Sequence, residues 1–405
     1  MRNVVYCAPF AGIAATHRFG RALRSLHGVR LLGVFQEAPS AEVAENYDDI
    51  AVVRDALDAR QLLGGIESLR ARWGAPHRIV GILENLQVQL AALRAHYGLP
   101  GGDVDAAERF RDKGLMKDAL RKIGIPCARH RRIRADEDAW GFAAEVGFPI
   151  VIKPPAGAGS KSTFEIHGPD DLRQVLLEMR PSRHNQLLAE EFLSGREYSF
   201  ETICVHGRPV FHSLGRYYPG PLEVTRTPWI QWVCALPRDI STPWYDDVRR
   251  VGFDAVTRLG MDSGMTHMEW FRRTDGTVAV GEIAMRPPGA QFVSLMGWAH
   301  DTDMYRAWAR AAVDETFDGP FERKHAVAIA YLRGQGNGRV TAVDGVDDAQ
   351  RKVGDLVVEA RLPQIGAPKN GSYEGDGFVI VRHPSDDVVM AAIKTVIETV
   401  KVRYG

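Results

Sequence analysis

Cysteine is scarce in this chain, with four in 405 residues. Cys7, Cys127, Cys204 and Cys234 form no C-x-x-C pair, which argues against a disulfide framework or a thiolate zinc site. The thirteen histidines make no H-x-x-x-H pattern, so a histidine-based metal site is not expected either. Net charge is also lacking. The 51 lysines and arginines balance 51 aspartates and glutamates, leaving no bulk pull toward nucleic acid or an anionic membrane. No apolar run reaches the ~18 residues that a membrane span needs. The opening "MRNVVYCAPFAGIAATHRFG" is interrupted by Asn3, His17 and Arg18 and reads as strand, turn and helix rather than as a signal peptide. A reducing, cytoplasmic compartment is the expectation.

Two phosphate-binding patterns are missing as well. Counted back from Lys161, a P-loop needs glycine at 160 and 155, where Ser160 and Pro155 stand. The first turn, "APFAGIAA", lacks G-x-G-x-x-G, so a dinucleotide site there has little support.

What is present is ordinary globular composition, 45% apolar and 25% charged, in a chain long enough for two to four domains. In the first hundred residues, short β-rich runs ("NVVYCAP", "VRLLGVF", "AVV", "HRIVGIL") alternate with helical stretches ("ARQLLGGIESLRARWG", "ENLQVQLAALRAHYG"). Such alternation predicts an N-terminal α/β domain, residues 1–104, built of βαβ units on a parallel sheet. After the breaker "GLPGG", the run "DAAERFRDKGLMKDALRKIG" reads as one helix, and "FPIVIKPP" as a strand. "NQLLAEEFL" and "EYSFETICVHGRPVFHSLGRYY" read as a long antiparallel meander, and "GMTHMEWFRR" and "TVAVGEIAMRPPG" as a hairpin turning at "TDGT". The remaining boundaries are expected at 105–186, 187–322 and 323–405, the last a β-rich C-terminal subdomain. It closes on the amphipathic helix "DDVVMAAIKTVIETVKVRYG".

Four features carry chemistry, each with a plain structural alternative. Lys113 in "RDKGLMKDAL" reads alone as a solvated helix lysine. Lys153 ends the apolar strand "FPIVIK" before "PPAGAGSKST", where a lysine is costly unless an anion awaits it. There Gly157 and Gly159 would let backbone N–H groups close over phosphates, with Ser160, Ser162 and Thr163 adding donors. The alternative is a turn beside a snorkelling lysine. Third, Glu190, Glu191, Phe192 and Leu193 in "LLAEEFL" form an acidic hinge, followed by Glu197; surface acids are the alternative. Fourth, Glu269 in "THMEWF" and Glu282 in "VGEIAMRPPG" stand in strands that are otherwise apolar or aromatic. Paired inward carboxylates call for a cation, and hard oxygen ligands suit Mg²⁺. Arg286 returns to the same face as Glu282 by period two, so buried Glu–Arg salt bridges remain the other reading.

In this order the features resemble the ATP-grasp superfamily of carboxylate–amine ligases, over residues ~105 to ~300. The resemblance implies an α/β and α+β multidomain architecture, with two α+β subdomains clasping ATP between the N-terminal domain and the C-terminal subdomain. It implies that Lys113 and Lys153 contact ATP phosphates and that 156–163 closes as a lid. Glu190, Glu191, Phe192 and Leu193 would lie beside adenine, and Glu197 would contact ribose. Glu269 and Glu282 would hold Mg²⁺, with Mn²⁺ an alternative ion, and Arg286 would steady an acyl-phosphate. "GMTHMEWF" is similar to the Gly-x-x-His-x-Glu stretch of the amino-acid ligase branch, which brings in His267. One departure stands out: many members read Glu-x-Asn-x-Arg where this chain has Ala284, which cannot ligand a metal.

The implied reaction joins a carboxylate to an amine through an acyl-phosphate, releasing ADP and phosphate. The expected partners are a small-molecule carboxylate and amine, with neither nucleic acid nor membrane; a homodimer is common among relatives, but no residue specifies one. In "GRYYPGPLEVTRTPWIQW", Arg226 is a candidate for a second substrate carboxylate and Trp229 or Trp232 for a side-chain wall, although aromatics at strand spacing also build cores. Carboxylation through carboxyphosphate, purine-type ligation and a regulatory nucleotide-binding role without turnover stay open.

Overall fold

The computed structural model describes residues 1–157 and 162–405. The N-terminal unit is a parallel sheet of β1 (Arg2–Ala8), β2 (Val29–Phe35), β3 (Asp49–Val52) and β4 (Arg78–Val80), in the order β3-β2-β1-β4. Its central strands are buried on both faces, which explains their continuous apolar sequence.

The single helix expected around Lys113 is two helices, Val104–Arg111 and Lys113–Lys122. Asp112 causes the break. Its backbone is extended, and its carboxylate accepts from the N–H groups of Gly114 and Leu115, so it caps the second helix and makes Lys113 the first helical residue.

A small sheet follows, in the order β5-β8-β6-β7, from β5 (His130–Ile133), β6 (Ile150–Lys153), β7 (Phe164–Ile166) and β8 (Leu187–Glu191). The strand "LLAEE" therefore pairs with β5 and β6 rather than joining the following meander, and the structural border falls after Glu191 instead of at 186.

The large sheet is antiparallel. It contains β9 (Gly195–Val205), β10 (Arg208–Tyr218), β11 (Trp232–Leu236), β12 (Gly264–Arg273), β13 (Val278–Ala284) and β14 (Ala326–Leu332). The order is β13-β12-β9-β10-β11-β14, continued by two strands of the C-terminal region, Gly377–His383 and Val357–Arg361. The expected border at 322/323 thus separates strands of one continuous sheet. The last helix stops at Thr399, and Lys401–Tyr404 is a strand paired with Val340–Asp344. A helix over Phe292–His300, apolar nearly all round, packs under the sheet and carried no amphipathic signal. No helix among the described residues is long and apolar enough to cross a membrane.

Candidate active site

A cavity of about 780 Å³ opens between the small sheet and the β13-β12-β9 edge of the large one. Strand register places its carboxylates. Glu269 on β12 stands opposite Glu282 on β13, and the register shifts immediately after this pair, where β13 carries the extra residue Gly281. On the other side of β12, Glu269 pairs with Ser199 of β9, so Glu197, two residues earlier, is its diagonal neighbour. All three glutamates line the cavity. Burial, with the adjacent Glu269 and Glu282 carboxylates, pushes Glu197 well above the usual carboxylate range. Carboxylates paired on adjacent strands suit a divalent cation held by oxygen, so Glu269 and Glu282 fit a magnesium-class ion. Ala284 also lines the cavity and offers no donor there, which leaves carboxylates as the side-chain ligand set.

The cations stand opposite. Lys113 Nζ lies 2.8 Å from Glu282 Oε1 and donates to the Gly157 carbonyl at 3.0 Å. Lys153 Nζ lies 2.9 Å from Glu190 Oε2. Burial works against the charge of Lys153, but Glu190, Glu282 and Glu269 outweigh it and raise its pKa. Lys117, fully buried, pairs with the other Glu190 oxygen at 2.9 Å and donates to the Gly281 carbonyl at 2.7 Å. The buried Glu190 carboxylate would be pushed up by desolvation, yet the two lysines hold it down at about 2. Glu190 therefore organises lysines instead of facing a base. Glu191 accepts from the Arg129 backbone N–H and Nε. The hinge also contributes apolar surface: Phe192 and Leu193, with Val151 and Phe271, wall an apolar slot.

At the opposite end, Arg286 Nε and Nη2 donate to Glu84 Oε2 at 3.3 and 3.2 Å. His267 Nδ1 lies 3.0 Å from Glu201 Oε1, and its Nε2 lies 3.8 Å from Glu269. Desolvation opposes the imidazolium, but the hydrogen bond to Glu201 and the nearby Glu269 carboxylate prevail and raise it to about 9.

Residues 118–299 match the family model for the ATP-grasp domain. This segment is an ATP-grasp domain. The chain is 26% identical over 249 residues to an L-arginine-specific L-amino acid ligase of Bacillus subtilis, covering 60% of this chain and 59% of that protein. It is 31% identical over 241 residues to a carbamoyl phosphate synthase large chain of Acidobacterium capsulatum, covering 58% of this chain. The match spans only 22% of that larger protein. The crystal structure of an L-amino acid ligase from Bacillus licheniformis superposes with a TM-score of 0.80 at 16% identity, covering 100% of this chain and 99% of that one.

The ATP-grasp cavity gathers most of the residues singled out in the sequence. Lys113, Lys153, Gly157, Glu190, Glu191, Phe192, Leu193, Glu197, Arg226, His267, Glu269, Glu282 and Arg286 all line it. Thr163 lines it too, whereas Ser162, in the turn just before, is exposed. Gly159 and Ser160 lie outside the described residues. Glu197 stands against the Glu269–Glu282 pair, a position that suits a metal ligand at least as well as a ribose contact. Arg226 is paired with Glu165 of the small sheet at 2.5 Å. Neither tryptophan walls the cavity. Trp232 is buried in the core between Tyr217 and Tyr331, and Trp229 is half exposed; Tyr217 and Tyr218 take the wall position.

Four residues paired with the cavity's charged groups escaped the sequence reading: Lys117, Glu201, Glu84 and Arg111. Lys117 lies one helical turn after Lys113, and Glu201 follows Glu197 by four on the same strand face, so both spacings were available. Glu84 and Arg111 join the site only through tertiary contact.

Proposed function

We propose that this chain is an ATP-dependent carboxylate–amine ligase acting on amino acids or closely related acids. One observation carries the reading: Glu197, Glu269 and Glu282 face Lys113 and Lys153 across a single cavity that also holds Arg286 and an apolar slot. The adenine would enter the slot beside Phe192 and Leu193, with the phosphates reaching toward Lys153 and Lys113. Glu269 and Glu282, joined by Glu197, would hold Mg²⁺ or Mn²⁺, which neutralises phosphate charge when bound. The substrate carboxylate attacks the γ-phosphorus, forming an acyl-phosphate and ADP; the amine then attacks the acyl carbon and phosphate leaves.

Lysines freed from their carboxylates by the incoming phosphates would stabilise the transferring group, and Arg286 would stabilise the acyl-phosphate oxygens. His267, as an imidazolium, suits donation to a substrate oxygen better than proton abstraction. Arg226 is assigned to the second substrate's carboxylate. The amino-acid ligases among the relatives support the substrate class.

The test is to incubate the protein with ATP, Mg²⁺ and pooled amino acids and to separate ADP from AMP. Amino-acid-dependent ADP and phosphate are expected. AMP and pyrophosphate would mean adenylation and overturn the mechanism.

A further inference from the structure

In the N-terminal sheet, β1 has β2 on one side and β4 on the other, so the winding reverses between β1 and β4. In open parallel sheets the crevice beyond the strand carboxyl ends at such a point is where ligands gather. Glu84 stands there, in the turn that follows β4, 6% exposed and in the wall of the catalytic cavity. Both of its oxygens are committed. Oε1 accepts from Arg111 Nη1 at 2.8 Å, and Oε2 accepts from Arg286 Nε and Nη2 at 3.3 and 3.2 Å.

The three residues come from three parts of the chain: the N-terminal domain, the end of the helix before Lys113, and the segment after β13. Arg111 Nη1 also donates to the Gly157 carbonyl at 3.2 Å, the carbonyl that Lys113 reaches. One carboxylate between two guanidiniums leaves one positive charge in excess. An anion arriving at Arg286 therefore meets a fixed, incompletely neutralised pair. Arg286 Nη1 also donates to the Pro287 carbonyl at 3.0 Å, but a guanidinium has five N–H donors in a rigid fork, so Arg286 can hold Glu84 and still offer N–H groups to substrate.

We propose that Glu84 is a positioning residue for ligation: from the N-terminal domain it aims Arg286 at the reacting oxygens and couples it to Arg111, which holds the Gly157 carbonyl beside Lys113. The inference rests on the ligase reading above. It goes beyond the sequence resemblance, which named no site residue in the N-terminal domain. A plain interdomain ion pair would make a different prediction, because its loss would lower stability while leaving the turnover of the folded protein unchanged.

The experiment is a double-mutant cycle on kcat with Glu84→Gln and Arg286→Lys, alongside ATP affinity and thermal stability for each protein. Glu84→Gln is expected to lower kcat about 10- to 100-fold with ATP affinity unchanged within about threefold. In the Arg286→Lys background the same change is expected to cost less than about threefold, because the group it aims is already altered. Equal factors in both backgrounds, or a lowered melting temperature with unchanged kcat, would overturn the positioning role. Should Glu84→Gln not fold, Glu84→Asp keeps the charge on a shorter arm and carries the same comparison. The wild-type assay separates the two claims. A wild type without amino-acid-dependent ADP sinks the ligase reading and this inference together, whereas an active wild type with an additive Glu84 effect sinks this inference alone.

Discussion

Lys113 and Glu282, 169 positions apart in the chain, meet as an ion pair at 2.8 Å, with the lysine only 6% exposed. The pair joins the lysine proposed to contact phosphate to a carboxylate proposed to hold the metal, so each is held in place by the group that ligand binding would separate from it. This pre-organisation lowers the cost of arranging charge at the moment of reaction.

Glu282→Ala should abolish turnover, by at least about 100-fold in kcat, while the protein remains folded. The carboxylate is partly exposed, so its removal leaves no sealed cavity, and Lys113 keeps the Gly157 carbonyl as a partner. Steady-state kinetics beside a thermal melt would decide it. Undiminished turnover would remove Glu282 from the metal set.

Glu190→Gln should instead act on stability. It removes the charge that Lys117 and Lys153 share, leaving two buried ammonium groups against each other. Breaking a buried pair this way costs about 3–5 kcal/mol. The sign with pH follows from the depressed carboxyl. Its stabilising contribution is complete above the ordinary carboxylate pKa and is lost as pH falls from there through about 2. Acid denaturation of wild type and variant should therefore converge at low pH; a constant gap down to pH 2 would contradict the assignment.

His267 should titrate near 9 in the metal-free protein. Being raised, it contributes stability that is full below the ordinary histidine pKa and is lost as pH climbs through about 9. Glu201→Gln should bring the titration down by at least one pH unit, read by NMR of the imidazole. A titration unmoved by the substitution would show that Glu201 does not hold the proton.

Ala284→Asn offers a side-chain oxygen where the cavity wall has only a methyl. The Mg²⁺ concentration for half-maximal activity should fall about threefold or more, by analogy with any added hard ligand. An unchanged requirement would mean that the carboxylates alone complete the protein's share of the metal shell.

The legible parts of this site were those whose logic is local. Glu269 and Glu282 could be read because acids interrupt strands that are otherwise aromatic or aliphatic, and Lys153 because a lysine closes an apolar strand before glycines. Lys117 was equally local but was not singled out, its burial being invisible without the sheet above it. Strand pairing was harder to read. "LLAEE" carries the same alternation whether it joins β9 or β6, and only the separation of the two sheets decides between them. The terminal helix was read too long because "KVRY" follows it without a glycine or proline, although its alternation already favoured a strand. Glu84 and Arg286 are 202 positions apart, and nothing in either neighbourhood points to the other.

The central claim is that a carboxylate is activated by phosphorylation at this site. The direct measurement supplies an amino acid labelled with ¹⁸O in its carboxyl group, in whichever pairing gives ADP, and follows the label by ³¹P NMR. Transfer of one ¹⁸O from the acid to the released phosphate is predicted, because the acyl–oxygen bond breaks when the amine attacks. Unlabelled phosphate, or label in AMP, would contradict the account.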